Sequence, residues 1–408
     1  MPEVIAGDTA WLLMATALVM VMLPGLALFY GGLVRRKNVL STIMHSFFGL
    51  ALVSVVWVLI GFTLAFGPDV NGWGIIGGLD FIGFNNVGLT PNPAYAATIP
   101  FVLFASFQLM FAAITPALIT GAFAERKRFG AFVLFTILWS ILVYSPIAHW
   151  VWAPGGWLRN LGAIDFAGGT VVHISSGVSA LVAAILIGKR VTNGDRMEPH
   201  DVPMTVLGAG LLWFGWFGFN AGSALAASGQ AANALLVTNT AAGAATLTWV
   251  LVSYLHKGKV SVVGAAAGAV AGLVAITPAS GYVTAGGAVL IGLAVGGLCY
   301  SATLLRERIK VDDALDVFAV HGVGGMFGAV ATGVLAVGAI GGAKGAIDGN
   351  FGQIGIQVVA VAATVAFSAV STFVIVKVIE VVLGLRVTSQ AEEVGLDLAV
   401  HGEVAYQM

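Results

Sequence analysis

Charge is what this 408-residue chain most lacks: only 9% of its residues are Asp, Glu, Lys or Arg, against roughly 25% in an ordinary soluble domain. So few charges cannot cover the surface of a soluble protein this size, which excludes a soluble enzyme. There is no excess of either sign, the net charge being -1, so nothing in the chain attracts a polyanion, and nucleic acid is not expected as a partner. A single cysteine, Cys299, excludes an internal disulfide and a thiolate metal cluster. The chain also lacks the period-two alternation of apolar and polar residues that a membrane β-barrel needs.

Apolar residues make up 59% of the chain, and mean hydropathy is +0.98. A bilayer span takes about 20 apolar residues. Apolar runs fall at 8–34, 39–67, 97–124, 129–152, 165–188, 203–225, 233–255, 260–280, 284–305, 314–337 and 354–383. The 55 glycines are roughly double the usual ~7% share, and small residues let membrane helices approach closely. The expectation is an all-α polytopic membrane protein with eleven transmembrane helices.

Positive charge orients them. Arg35, Arg36 and Lys37 follow span 1; Arg126, Lys127 and Arg128 follow span 3; Lys189, Arg190 and Arg196 follow span 5. Lys257 and Lys259 follow span 7, Arg306, Arg308 and Lys310 follow span 9, and Lys377 and Arg386 flank the end of span 11. Only Arg159 and Lys344 fall in the alternate loops, so the split is 16 to 2. Basic residues favour cytoplasmic loops, which predicts an external N-terminus and a cytoplasmic C-terminus. The first residues lack a basic n-region, so no cleaved signal peptide is expected.

Spans 1–5 and 6–10 read as an inverted five-helix repeat, followed by a final long helix, an arrangement transporters use around a midplane site. Half 1 covers about 8–190, half 2 about 203–337 and span 11 about 354–383. The transmembrane domain is 1–385 and the polar tail is 386–408. Span 5 opens at Asp165 and reaches His173; span 10 opens near Asp312, Asp313 and Asp316 and reaches His321. Counting ~1.5 Å per residue puts His173 about 12 Å below one end and His321 about 13 Å above the other. Both imidazoles thus approach the centre of a core ~30 Å thick.

An ionisable residue inside the bilayer is a functional candidate, although helix-to-helix hydrogen bonding is the plainer alternative. Two histidines without a third ligand make a poor zinc site, and no metal or cofactor is expected. Neutral imidazoles can exchange protons with a small polar molecule in a narrow pore. Asp165 reads equally as a helix cap and as a cation attractor or proton acceptor. Asp312, Asp313 and Asp316 read as caps and ion pairs, and His45, His149, His200, His256 and His401 as structural or interfacial. Phe107, Phe111, Trp152, Trp216, Phe219 and Ser223 fall near the mouth that Asp165 marks. Aromatic rings are ordinary at interfaces, but a desolvated ring face also attracts a small cation by ~1–2 kcal/mol.

The stretch Asp165-Phe-Ala-Gly-Gly-Thr-Val-Val-His173 resembles a signature of the Amt/Mep ammonium transporters. So do Pro24-Gly-Leu-Ala-Leu-Phe-Tyr30-Gly-Gly, Gly121-Ala-Phe-Ala-Glu125-Arg126, Gly215-Trp216-Phe-Gly-Phe219-Asn-Ala-Gly-Ser223, Asp316-Val-Phe-Ala-Val-His321-Gly, and the tail with Asp397, His401, Glu403 and Tyr406. The resemblance implies an external ammonium site at Phe111, Trp152 and Ser223, with Phe107 beside it. It further implies a phenyl gate at Phe111 and Phe219, pore histidines at His173 and His321, a pore-lining Trp216 and an acidic Asp165 beneath the vestibule. It implies a multi-pass protein of the cell membrane, forming a homotrimer, carrying ammonium or methylammonium. It also implies a cytoplasmic PII signalling protein as partner and a regulatory tail at Asp397, His401 and Glu403. An ammonium sensor and an electroneutral ammonia or gas channel are the alternative readings. No enzyme activity is expected, because no nucleophile lies within reach of a base in any motif.

Overall fold

The computed structural model describes residues 3–192 and 197–407; Arg196, one of the basic loop residues named above, lies outside them. Among the described residues, ten helices are long and apolar enough to cross a membrane. They are α1 (Ala6–Leu33), α2 (Arg36–Phe66), α3 (Phe101–Phe123), α4 (Phe129–Leu161), α5 (Gly169–Ile187), α6 (Val202–Gly222), α7 (Gly229–Lys257), α9 (Ala285–Ile309), α10 (Phe318–Leu335) and α11 (Gly352–Val382). A shorter apolar helix, α8 (Val262–Ile276), completes the correspondence with the eleven apolar runs. Among the described residues, only isolated β-bridges interrupt the helical architecture.

Side-chain caps set several helix starts. Asp201 accepts from the Met204 N–H at 2.9 Å at the head of α6, and Ser261 accepts from the Gly264 N–H at 3.0 Å at the head of α8. Each satisfies one of the N–H groups that a first turn leaves unpaired. Hydropathy is uniform around these helices, so packing is carried by close backbone approach. A Cβ on Gly208 of α6 would stand 2.2 Å from Phe29 N of α1, and one on Gly177 of α5 2.2 Å from Gly322 N of α10. Only glycine permits these two crossings.

Four spans contain a π-helical turn: Trp57–Gly61 in α2, Ser140–Tyr144 in α4, Gly169–Ile174 opening α5 and Phe318–Val323 opening α10. Such turns are rare and cluster at functional sites. Spans 5 and 10 begin later than the apolar pattern suggests, at Gly169 and Phe318. The reason is local: the Asp165 carboxylate gathers the first N–H groups of α5, and Asp313 accepts from Phe318 N–H at 2.7 Å. Both histidines therefore sit in the opening π turn of a shortened helix, and counting an ideal rise from Asp165 or Asp312 overstates the helical path to them.

At one end of the bundle the basic loops and the tail interlock. Glu125 is buried and takes both Arg35, at 2.8 Å, and Arg190, at 3.4 Å. Arg190 also pairs with Asp312 at 2.7 Å. Burial raises the Asp312 carboxyl, and the hydrogen bonds and charge of Arg190 outweigh it, leaving the pKa lowered to about 2. Lys127 lies between the Phe123 and Phe135 rings, 3.7 and 3.9 Å from their centroids, and burial pushes its amine well below the ordinary range.

The tail runs through this face. A short helix, α12 (Ser389–Val394), presents Glu392 to Arg386 and to the Val191 N–H. Asp397 then accepts from Leu40 and Ser41 N–H at 3.0 and 2.8 Å, capping the first turn of α2 from another part of the chain. In return Asn38 accepts from Leu396 N–H at 2.8 Å.

Candidate functional site: two vestibules and the seam between them

On the face opposite the tail, a cavity of about 410 Å³ is lined by Phe111, Trp152, Asp165, Ser223, Gln108 and Tyr282, among others. At the basic face a larger cavity, of about 710 Å³, reaches inward to His321 and Val320. Between them lies a seam of only about 10 Å³, walled by Leu26, Ile114, Leu118, Val172, Leu212, Trp216, Phe219 and the two histidines. That is roughly the space one water requires.

The aromatic residues singled out from sequence converge. Phe111 stacks on Phe219 at 4.2 Å between centroids, meets Trp152 edge to face at 5.9 Å, and packs against Phe107 at 4.9 Å. Phe111 faces the smaller vestibule and Phe219 faces the seam, both with almost no exposure. The two rings therefore form the floor of the vestibule. Trp152 is held by its indole N–H, which donates to the Asp165 carbonyl at 3.0 Å. The Ser223 hydroxyl lines the vestibule and donates to Phe219 O at 2.9 Å, which leaves its oxygen lone pairs for a donor in the cavity.

Asp165 serves as a cap. Its carboxylate accepts from Gly168, Gly169 and Thr170 N–H at 2.8, 2.7 and 2.7 Å, and from the Thr170 hydroxyl. Both oxygens are engaged by its own turn. The same residue lines the vestibule, so its charge acts there through the field while its lone pairs hold α5 in place.

Below the rings the histidines meet. His321 Nδ1 lies 3.2 Å from His173 Nδ1, with ring centroids 5.3 Å apart and planes 29° from parallel. His173 stacks on Trp216 at 5.4 Å. The Thr277 hydroxyl donates to Leu273 O at 2.7 Å, accepts from Trp216 Nε1 at 2.9 Å and faces His173 Nε2 at 3.3 Å. With its proton committed, Thr277 Oγ1 is an acceptor. The network thereby assigns the proton of His173 to Nε2, leaves its Nδ1 to accept from His321 Nδ1–H, and leaves His321 Nε2 as an acceptor.

Thr277 and Gln108 are among the residues of the site that were not singled out from the sequence. Thr277 reads as an ordinary loop or cap residue after α8, and nothing in its spacing betrays the shared hydroxyl. Gln108 stands out as an amide in an apolar span, and that was the available signal. Its side chain is only 9% exposed, it lines the vestibule, and its Oε1 has no hydrogen-bond partner. The other predicted roles fall elsewhere: Asp397 and His401 lie in the docked tail, where His401 packs on Phe129 at 5.8 Å, and Glu403 is exposed. His149 bridges Ala65 O and Asp69 Oδ1, at 3.0 Å each. Asp316 pairs with Arg306 at 2.6 Å.

A bundle of apolar helices long enough to cross a bilayer, enclosing two vestibules joined by a narrow seam, defines a multi-pass membrane protein with the form of a channel or transporter. Residues 10–406 match the Ammonium Transporter Family. An ammonium transporter of Bacillus subtilis (strain 168) is 52% identical, with 98% of each chain covered. Ammonium transporter Amt1 of Archaeoglobus fulgidus is 47% identical, with 98% of this chain and 99% of that one covered. The crystal structure of Saccharomyces cerevisiae Mep2 superposes with a TM-score of 0.89 at 37% identity, over 95% of this chain and 88% of that one. A solved structure described as a sensor Amt protein superposes equally well, with a TM-score of 0.89 at 33% identity, over 97% and 98% of the two chains. The chain belongs to the ammonium transporter family.

Proposed function

We propose that the protein takes up ammonium by binding the cation in the smaller vestibule, removing a proton there, and passing neutral ammonia through the seam. The observation that carries this reading is the contrast between two vestibules and a seam of about 10 Å³ lined by paired imidazoles. Trp152 and Phe111 offer ring faces, Ser223 offers hydroxyl lone pairs, and the unpaired Gln108 Oε1 offers a further acceptor. Together they suit a small cation with several N–H donors. Taking that cation past Phe111 and Phe219 as an ion costs heavy desolvation. Burial lowers the pKa of an ammonium-type group, so deprotonation is favoured at the gate. Ammonia then passes His173 and His321, alternately donor and acceptor to the imidazoles. K+ has no proton to lose and stays behind.

The proton follows separately, drawn by the field of the Asp165 carboxylate and carried by the histidines and transient water, making transport electrogenic. The distribution of 16 basic residues against 2 supports an orientation with the smaller vestibule and N-terminus external and the tail cytoplasmic, in the cell membrane. The two halves, 8–190 and 203–337, act as inverted repeats. Residues 1–385 form the transport domain and 386–408 a regulatory tail, in which Asp397, His401 and Glu403 take part. A homotrimer with one pore per subunit, and a PII signalling protein at the cytoplasmic face, complete the reading.

The test is solid-supported-membrane electrophysiology on proteoliposomes given an ammonium pulse, with K+ and methylammonium pulses as comparisons. A sustained ammonium current without a K+ current is the expected result. Alkalinisation of the lumen without current would make it a neutral ammonia channel. Binding without flux would make it a sensor, the role named for one of its structural neighbours.

A further inference from the structure

The long transmembrane helix that follows the first ten spans, α11, buries two glutamines, Gln353 and Gln357, which are 5% and 1% exposed. A glutamine amide has two donors and a two-lone-pair acceptor, and a buried one is costly unless satisfied. Gln357 is fully satisfied, and its partners are specific. Its Oε1 accepts from the Ile164 N–H at 2.9 Å, and its Nε2 donates to Ile164 O at 2.8 Å and to Ala329 O of α10 at 2.9 Å. The amide thus clasps the backbone of Ile164 from both sides, as a neighbouring strand would, and fastens it to α10.

The next residue is Asp165. Its carbonyl accepts the Trp152 indole N–H at 3.0 Å, and its carboxylate holds the opening turn of α5, which carries His173. Gln353, one turn away, donates to Gly162 O at 2.9 Å, three residues before Asp165, and at a longer 3.4 Å to Gln357 Oε1.

We propose that Gln357 is a positioning residue for cation binding, setting the angle of Trp152 over the vestibule by fixing the Ile164–Asp165 peptide from α11. The proposal rests on the reading above in which Trp152 receives ammonium. Its consequence is that α11, which touches neither the vestibule nor the seam, sets the apparent affinity for the transported ion, while the rate through the seam follows from His173 and His321.

The experiment compares Gln357→Met, Gln357→Glu, Gln353→Met and Trp152→Leu with the parent in proteoliposomes. Half-saturation and maximal ammonium current are measured for each, normalised to folded protein by size-exclusion profile. Gln357→Met keeps length and loses every hydrogen bond. Gln357→Glu keeps the acceptor for the Ile164 N–H, and carries the test if the first variant does not assemble. The expected result is half-saturation raised about tenfold in Gln357→Met and less in Gln357→Glu, with maximal current within about twofold. Gln353→Met removes a long bond to Gln357 but leaves both bonds to Ile164; it is expected to lower thermal stability and to move half-saturation by less than about twofold, which separates positioning from support. Unchanged half-saturation in both Gln357 variants, with Trp152→Leu raised, would overturn the role of Gln357 and leave the vestibule reading standing. Unchanged half-saturation in Trp152→Leu as well would overturn both.

Discussion

Trp216 and His173 share one oxygen: the Thr277 hydroxyl accepts the indole N–H at 2.9 Å and stands 3.3 Å from His173 Nε2. Thr277→Val keeps the shape and removes the oxygen, leaving a buried indole N–H and an imidazole N–H without an acceptor. Each buried group left unsatisfied costs about 1–3 kcal/mol. The expected outcome is a lower melting temperature and an ammonium current reduced about tenfold. A variant with parental current would show that the tautomer of His173 does not depend on Thr277.

The histidine pair makes a sharper prediction. Replacing both, as His173→Ala with His321→Ala, removes the only side chains in the seam able to take a proton from the passing molecule. The ammonium current is expected to fall by about 10²-fold, the lower end of what a positioned proton acceptor contributes. K+ pulses are expected to begin to carry current, since the space vacated admits water. Retained uptake with K+ still excluded would remove the pair from the mechanism.

At the basic face the ion pairs predict a pH dependence. The folded-state pKa of Asp312 is about 2, below its ordinary 3.8. A depressed carboxylate stabilises the fold above its unfolded pKa, and that stability is lost as pH falls through the folded value. The thermal stability of the detergent-solubilised protein is therefore expected to fall as pH drops from about 4 towards 2, by about 1–2 kcal/mol from this group after solvent screening. Asp312→Asn is expected to be less stable at neutral pH and to show a shallower acid limb. Parallel limbs in the two proteins would place the acid sensitivity elsewhere.

The tail prediction concerns Asp397, whose carboxylate caps α2 at Leu40 and Ser41. Asp397→Ala removes a cap worth about 0.5–2 kcal/mol and with it one of the ties that hold the tail. Faster limited proteolysis beyond residue 385, with the transmembrane bundle intact, is the expected outcome. Unchanged cleavage would mean that the Asn38–Leu396 and Arg386–Glu392 contacts suffice.

Much of this was legible in the sequence, and the reasons differ by level. Every apolar run corresponds to a helix, because length and hydropathy alone decide what a bilayer accepts. Convergence of His173 and His321 follows from their placement at corresponding points of span 5 and span 10. Asp165 was ambiguous for a physical reason: a carboxylate at the head of a helix can cap it and face a cavity, and here it does both. The π turns were not legible, since they change hydrogen bonding without changing composition. Thr277 and Gln357 act through partners 61 and 193 residues away, Gln108 through a cavity it shares with distant parts of the chain, and no local pattern encodes such relationships.

The π turns at Gly169–Ile174 and Phe318–Val323 bear on how the chain can vary. A π turn holds one residue more than the α-helical turn it replaces. Deleting one residue from either would relax it to α geometry and leave the flanking helix segments in phase, whereas the same deletion in an α-helical stretch rotates one side by about 100° against the other. Loss of a single alanine or valine inside these two turns is therefore expected to disturb transport less than the same loss in the α-helical turns that follow them.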